Sequence, residues 1–98
     1  MADEIKLVYE LADDMSATFN AGAEQLQDTM QEMQSIASTL EDGALLGRAG
    51  QAYVEAIRSR LCPSIGKLTD KFQEMNGDVQ AAKKAMQEAD KDSQSMLS

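Results

Sequence analysis

The side chains able to do chemistry are few, and their spacing points away from catalysis. The chain has no histidine, which excludes His-based triads and the Glu-x-x-His metal motifs of helical bundles. Cys62 stands alone, so no intrachain disulfide can form. With no histidine to activate it, it reads as an inert packing thiol, and an interchain disulfide would need an oxidising compartment. The paired acids Asp13-Asp14 and Glu41-Asp42 are adjacent in sequence and not set across a cleft, so they read as solvated faces. Gly43, Gly47 and Gly50 have P-loop-like spacing but no Lys-Ser/Thr follows them. No catalytic, cofactor-binding or metal-binding residue is expected. The chain reads as a non-enzyme that works by binding.

Its charges narrow the partner. Nine basic and 17 acidic residues give a formal net charge of −8, which argues against nucleic acid or an anionic membrane surface. The imbalance lies in the first half. Residues 1–50 hold ten acids against Lys6 and Arg48, and residues 51–98 hold seven of each sign. An acidic first arm favours solubility and can help orient a partner. The N-terminus Met-Ala-Asp-Glu-Ile-Lys lacks the basic and apolar regions of a Sec-type signal. No apolar run reaches the length of a transmembrane segment. The expectation is synthesis in the cytoplasm, with any export following another route.

The elements that carry these residues are helices. Aromatic residues make up 4% and there is one proline; the apolar content is Ala, Leu, Met, Ile and Val in helical spacing. The expected fold is all-α, an antiparallel two-helix hairpin. Helix 1 is expected over about 3–40, a turn over 41–47, helix 2 over 48–90 and a frayed polar tail over 91–98. The first arm's stripe runs Val8, Leu11, Met15, Phe19, Gly22, Leu26, Met33, Ile36, Leu40. The second runs Tyr53, Ile57, Leu61, Ile65, Leu68, Phe72, Met75, Val79, Ala82, Met86. From Ile65 its steps alternate between three and four, a heptad seam. Two arms of this length form a rod of about 60 Å. Two helices share only one seam, so the stripes are expected to bury each other and a partner, pairing two hairpins into a four-helix bundle. Seven methionines suit an adaptable packing surface.

Two residues sit uneasily in this pattern. Gly22 lies on the stripe and costs about 1 kcal/mol of helix propensity, so a close approach of the second arm is expected there. Pro63 removes a helical hydrogen bond. A bend is expected at Pro63, because the apolar spacing passes through it in phase.

The midpoint carries a resemblance. The run Leu45-Leu46-Gly47-Arg48-Ala49-Gly50-Gln51-Ala52-Tyr53 resembles the turn of the WXG family, the early-secreted-antigen-like hairpins of bacterial type VII secretion. Those chains are of similar length and carry Trp-x-Gly in the turn, a small residue two positions on and an aromatic four further. Gly47, Ala49 and Tyr53 match, and Leu45 stands in the place of Trp. The likeness covers nearly the whole chain through length, turn position and helical pattern. In physical terms, a large apolar residue at Leu45 plugs the end of the bundle, Gly47 allows a backbone closed to other residues, and Tyr53 starts the core stripe.

The family's second signal, Tyr-x-x-x-Asp/Glu after the core of helix 2, corresponds to Met86 and Asp90, where only Asp90 matches. A literal copy, Tyr9 to Asp13, lies in the first arm. Both termini of a hairpin share one end, which brings Tyr9 near Met86. Met86/Asp90 is the favoured export signal, and Tyr9 is read as a packing residue. The resemblance implies a secreted substrate of type VII secretion. It would act as a homodimer or with a similar small hairpin, and be recognised by a membrane ATPase of the FtsK/SpoIIIE type. Two alternatives stand beside it: a targeting partner for a larger LXG-type toxin, suggested by the Leu-x-Gly turn, and a generic acidic helical adaptor.

Overall fold

The computed structural model describes residues 2–43 and 47–97. They form two antiparallel helical arms, all-α as the spacing requires. The first arm is one helix, α1 (Ala2–Asp42), with Asp3 and Glu4 at the positive end of its dipole. The second arm is α2 (Gly47–Ala56), a π-helical turn (Ile57–Leu61) and α3 (Cys62–Leu97) in unbroken succession. Helical structure continues to Leu97, past the Asp90 end expected from the polar composition. The rod measures 76 × 18 × 14 Å. Gly47, which opens α2, has φ +46°, the left-handed backbone that a side chain resists. That is why glycine stands at the exit of the turn.

Pro63 is accommodated by the π turn and not by a simple bend. The Cys62 N–H donates to the Ile57 carbonyl, five residues back. Widening the turn just before Pro63 frees the chain from the clash that its ring makes in a regular α-helix. The wider turn takes up one extra residue, so the buried positions step from Ile57 to Cys62. The apolar phase therefore does shift here, and the seam moves one residue along. The inward residues are Val54, Ile57, Cys62 and Thr69, all under 9% exposed. Tyr53, Leu61 and Leu68 point outward.

In α1 the inward positions are Ile5, Tyr9, Ala12, Ser16, Phe19, Ala23, Leu26, Met30, Met33, Ala37 and Leu40. They alternate by four and three along the whole helix, the spacing of left-handed packing. The stripe expected from apolarity thus divides. Phe19, Leu26 and Met33 face the seam, as do Ile57, Phe72 and Val79 on the other arm, with Met75 half-buried at the seam's edge. Val8, Leu11, Met15 and Ile36 are exposed, and Leu61 and Leu68 with them. Beside the exposed residues of α1, the seam is filled by Tyr9, Ala12, Ser16 and Ala37. Small and polar side chains, with Tyr9 among them, hold the places where larger apolar neighbours were expected.

The two halves of the seam differ in chemistry. Near the turn, Ala37, Val54, Ile57 and Cys62 are buried, with Met30, Met33 and Leu40 against them. Phe19 and Phe72 meet edge to face at mid-rod, their centroids 5.9 Å apart. Toward the termini the contacts turn polar. The Asn76 amide donates to Asn20 at 3.0 Å, Gln80 to the Ser16 hydroxyl at 2.6 Å, and Lys83 to Asp13 at 2.7 Å. Polar pairs earn little net energy, but each is satisfied in one alignment only, so they set the register of the arms.

Candidate functional site

One side of the hairpin carries no charge and leaves apolar residues exposed. In an antiparallel pair, the positions that flank the seam on one side form two facing rows, seven residues apart along each helix. In α1 this row is Val8, Met15, Gly22, Thr29, Ile36. In the second arm it is Tyr53, Leu61, Leu68, Met75, Ala82, Ala89, with a step of eight from Tyr53 to Leu61 across the π turn. Neither row contains a charge, in a chain that is 27% charged. Val8, Met15, Ile36, Tyr53, Leu61 and Leu68 are 42–60% exposed. The other flank carries Lys6, Asp13, Asn20, Gln27, Gln34 and Glu41, with Gln73, Gln80 and Gln87 on the second arm, all exposed.

The uncharged side deepens near the termini. A groove of about 310 Å³ runs between the arms there, walled by Val8, Leu11, Met15, Val79, Ala82 and Met86. Its lining is almost wholly carbon. Tyr9 and Lys83 border it, and their polar ends turn to Asp90 and Asp13. An apolar trough with its polar atoms already paired suits another apolar surface and offers no anchor for a small polar ligand.

The Tyr9 hydroxyl donates to the Asp90 carboxylate at 2.5 Å. This contact joins the start of α1 to the last turns of α3, and it closes the open end of the hairpin. Tyr9 is half-buried but is more than a packing residue, and its acidic partner is Asp90 and not Asp13. Asp13 is paired with Lys83 instead. The hydrogen bond to Asp90 pushes the Tyr9 phenol up to about 12, with burial and the carboxylate's charge adding in the same direction. Because the folded pKa is the higher one, this contact's stability is complete below the unfolded value near 10 and is lost as pH rises through about 12. Tyrosinate absorbance should show Tyr9 ionising late in the wild type. In Asp90→Ala its ionisation should fall back toward the ordinary value. An unchanged titration in that variant would mean that the hydrogen bond is not made in solution.

The sequence-expected residues are thus placed as follows. Met86 is exposed on the groove wall, one turn before Asp90. Gly47, Ala49 and Tyr53 lie on the first turns of α2, all exposed; Tyr53 does not start the core, because Val54 holds the inward position at 7% exposure. Leu45 lies outside the described residues. Sequence reasoning missed the Asp13–Lys83 pair and the bond from Tyr9 to Asp90. Proximity of the termini was legible, but pairing needs the register. Cys62 is free and buried. Among the described residues, no group of three or more His, Cys, Asp or Glu gathers as a metal site, and no helix is long and apolar enough to cross a membrane.

A comparison with protein-family models matches residues 4–91 to WXG100, described as proteins of 100 residues with WXG. No curated protein and no solved structure matches the chain. Members of that family are small helical proteins associated with type VII secretion, exported without a signal peptide, and they typically dimerise. The match spans both arms and the turn between them, so this chain, with leucine in the place of the motif tryptophan, belongs to the WXG100 family.

Proposed function

We propose that this chain is a substrate of type VII secretion that acts by binding another chain through its uncharged side. The observation that carries the reading is the pair of charge-free rows, with half-exposed leucine, methionine and isoleucine along a 76 Å rod. Covering them removes apolar surface from water at about 25 cal/mol per Å². The chain is made in the cytoplasm, folds and pairs there, and is passed as a folded assembly to an ATPase of the FtsK/SpoIIIE type. Service as targeting partner to a larger LXG-type toxin uses the same face. The Leu45-x-Gly47 turn favours that second reading.

The export signal in this reading centres on Asp90. Met86 cannot supply a phenol, and Tyr9 brings one to Asp90 from the other arm. The tyrosine–acid pair is then shared between the arms and is not contained in one helical turn. Export assays in a host that carries the secretion system test this. Asp90→Ala and Tyr9→Phe should both remain in the cell while staying helical and associated, and Asp13→Ala should be exported. Wild-type export of Asp90→Ala and Tyr9→Phe would place the signal elsewhere. Failure of the wild type itself to leave the cell would remove the secretion reading.

A further inference from the structure

We infer that the hairpin ends in a clasp: the arms part and rejoin from the termini up to the Phe19–Phe72 pair as one unit, latched by Tyr9 and Asp90, while the turn-side half stays closed. The clasp is a property of the hairpin itself and needs no partner or secretion system. Burial makes the first argument. Ala23, Ala37, Val54, Ile57, Cys62 and Thr69 are buried, and all lie between the phenylalanine pair and the turn. On the terminal side Ile5, Tyr9, Ala12 and Val79 are only half-buried and Met86 is exposed. Ser16 is buried there, but it carries a hydroxyl. Stability between packed arms follows the apolar surface removed from water, and the terminal side has the smaller share.

Polar contacts make the second argument. A row of them crosses the terminal side: Asn76 to Asn20, Gln80 to Ser16, Lys83 to Asp13 and Tyr9 to Asp90. Each is exchanged for a bond to water when the arms part, so each adds little net stability. The Asn76 side-chain oxygen is buried and accepts no bond from the protein, so opening lets water reach it. The Tyr9 contact is the outermost of the row and is made to a carboxylate, the stronger kind, which makes it the latch. Hinges make the third argument. Gly22 in α1 and Gly77 in α3 stand close to the level of the phenylalanine pair, and glycine weakens a helix where it stands. The turn tethers the arms at the other end, so contacts near it cost the least chain entropy to close. Once parted, each arm end is a single helix without a neighbour, and such helices fray in water.

The test is amide hydrogen exchange of the full chain, resolved by residue, at one fixed concentration and pH. Protection over residues 5–16 and 79–90 should be at least about tenfold lower than over 26–40 and 54–69, with a step at the phenylalanine pair. Tyr9→Phe keeps the ring and removes the latch. It should lower protection by about fivefold throughout the terminal side of both arms and leave the turn side unchanged. Asn76→Leu, close to asparagine in shape, should raise protection on the terminal side. A level profile across the phenylalanine pair would overturn the clasp. So would a smooth decline toward the termini with Tyr9→Phe felt only beside residues 9 and 90, which is the ordinary fraying of chain ends. A Tyr9→Phe chain that loses protection equally on both sides would open as a single unit, and that too would overturn it.

Discussion

Phe72→Asp should abolish the hairpin itself. Phe72 fills the middle of the rod, edge-on to Phe19 at 66° between planes and directly over Gly22. Truncating a packed phenylalanine costs about 3–5 kcal/mol, and a carboxylate in its place adds the cost of a charge with no partner. The residues that line the seam here are Phe19, Ala23 and Met75, none able to ion-pair. A domain of this size has about 5–15 kcal/mol of total stability, and a two-helix rod belongs at the low end. The helical signal at 25 °C should be mostly lost at a protein concentration where the wild type is folded, with a conservative Phe72→Leu keeping the fold at a lower melting temperature. Leu68→Asp, only four residues earlier on the same sequence stripe, should keep its helices. A Phe72→Asp chain that melts like the wild type would mean that the arms are not held together along this seam.

Opposite effects are expected at two helical glycines. A Cβ on Gly22 would lie 2.6 and 2.8 Å from the edge of the Phe72 ring, well inside contact distance. Phe19 backs that ring, so its retreat is limited. Gly22→Leu gains about 1 kcal/mol of helix propensity, yet forcing bulk into a packed seam costs about 1–3 kcal/mol and sometimes more. The larger side chain should push the balance to a net loss of about 2 kcal/mol, and each kcal/mol moves the melting temperature by about 4–8 °C in a chain this size. Gly77 is exposed and nothing lies within 4 Å of a Cβ placed there. Gly77→Ala should therefore stabilise by up to about 1 kcal/mol. Thermal melts at one fixed concentration compare the two without a shift from association. A stabilised Gly22→Leu would show that the arms do not approach as closely as the Phe72 ring indicates.

Several features of this protein were legible from the residues alone because their causes are local. Three- and four-residue apolar steps mark helices before any neighbour is known. Three glycines between residues 43 and 50 mark a turn, and Gly47 needs the left-handed backbone it has. Gly22 in a helical stripe signals a close approach, and Phe72 is the group that approaches. The absence of histidine removes whole classes of chemistry before any fold is known.

Which apolar residues face which neighbour is not local. Hydrophobic spacing marks apolar positions alike, and it does not separate a seam inside one hairpin from an apolar face left exposed. Val8, Leu11 and Met15 therefore read as core beside Phe19 and Leu26, although Tyr9, Ala12 and Ser16 hold the seam at their level. The π turn before Pro63 adds a second reason. One extra residue in a turn rotates the following helix against the preceding one, so Leu61 and Leu68 leave the seam while Cys62 and Thr69 enter it. No count of sequence steps carries that rotation. The bond from Tyr9 to Asp90 depends on both: 81 residues separate them, and only the register set by the packed arms, with its polar pairs at Asn20, Ser16 and Asp13, brings hydroxyl and carboxylate together. Local spacing decided that this chain is a helical hairpin; the fit of the two arms decided which of its faces is left open, because burial belongs to pairs of surfaces and not to single residues.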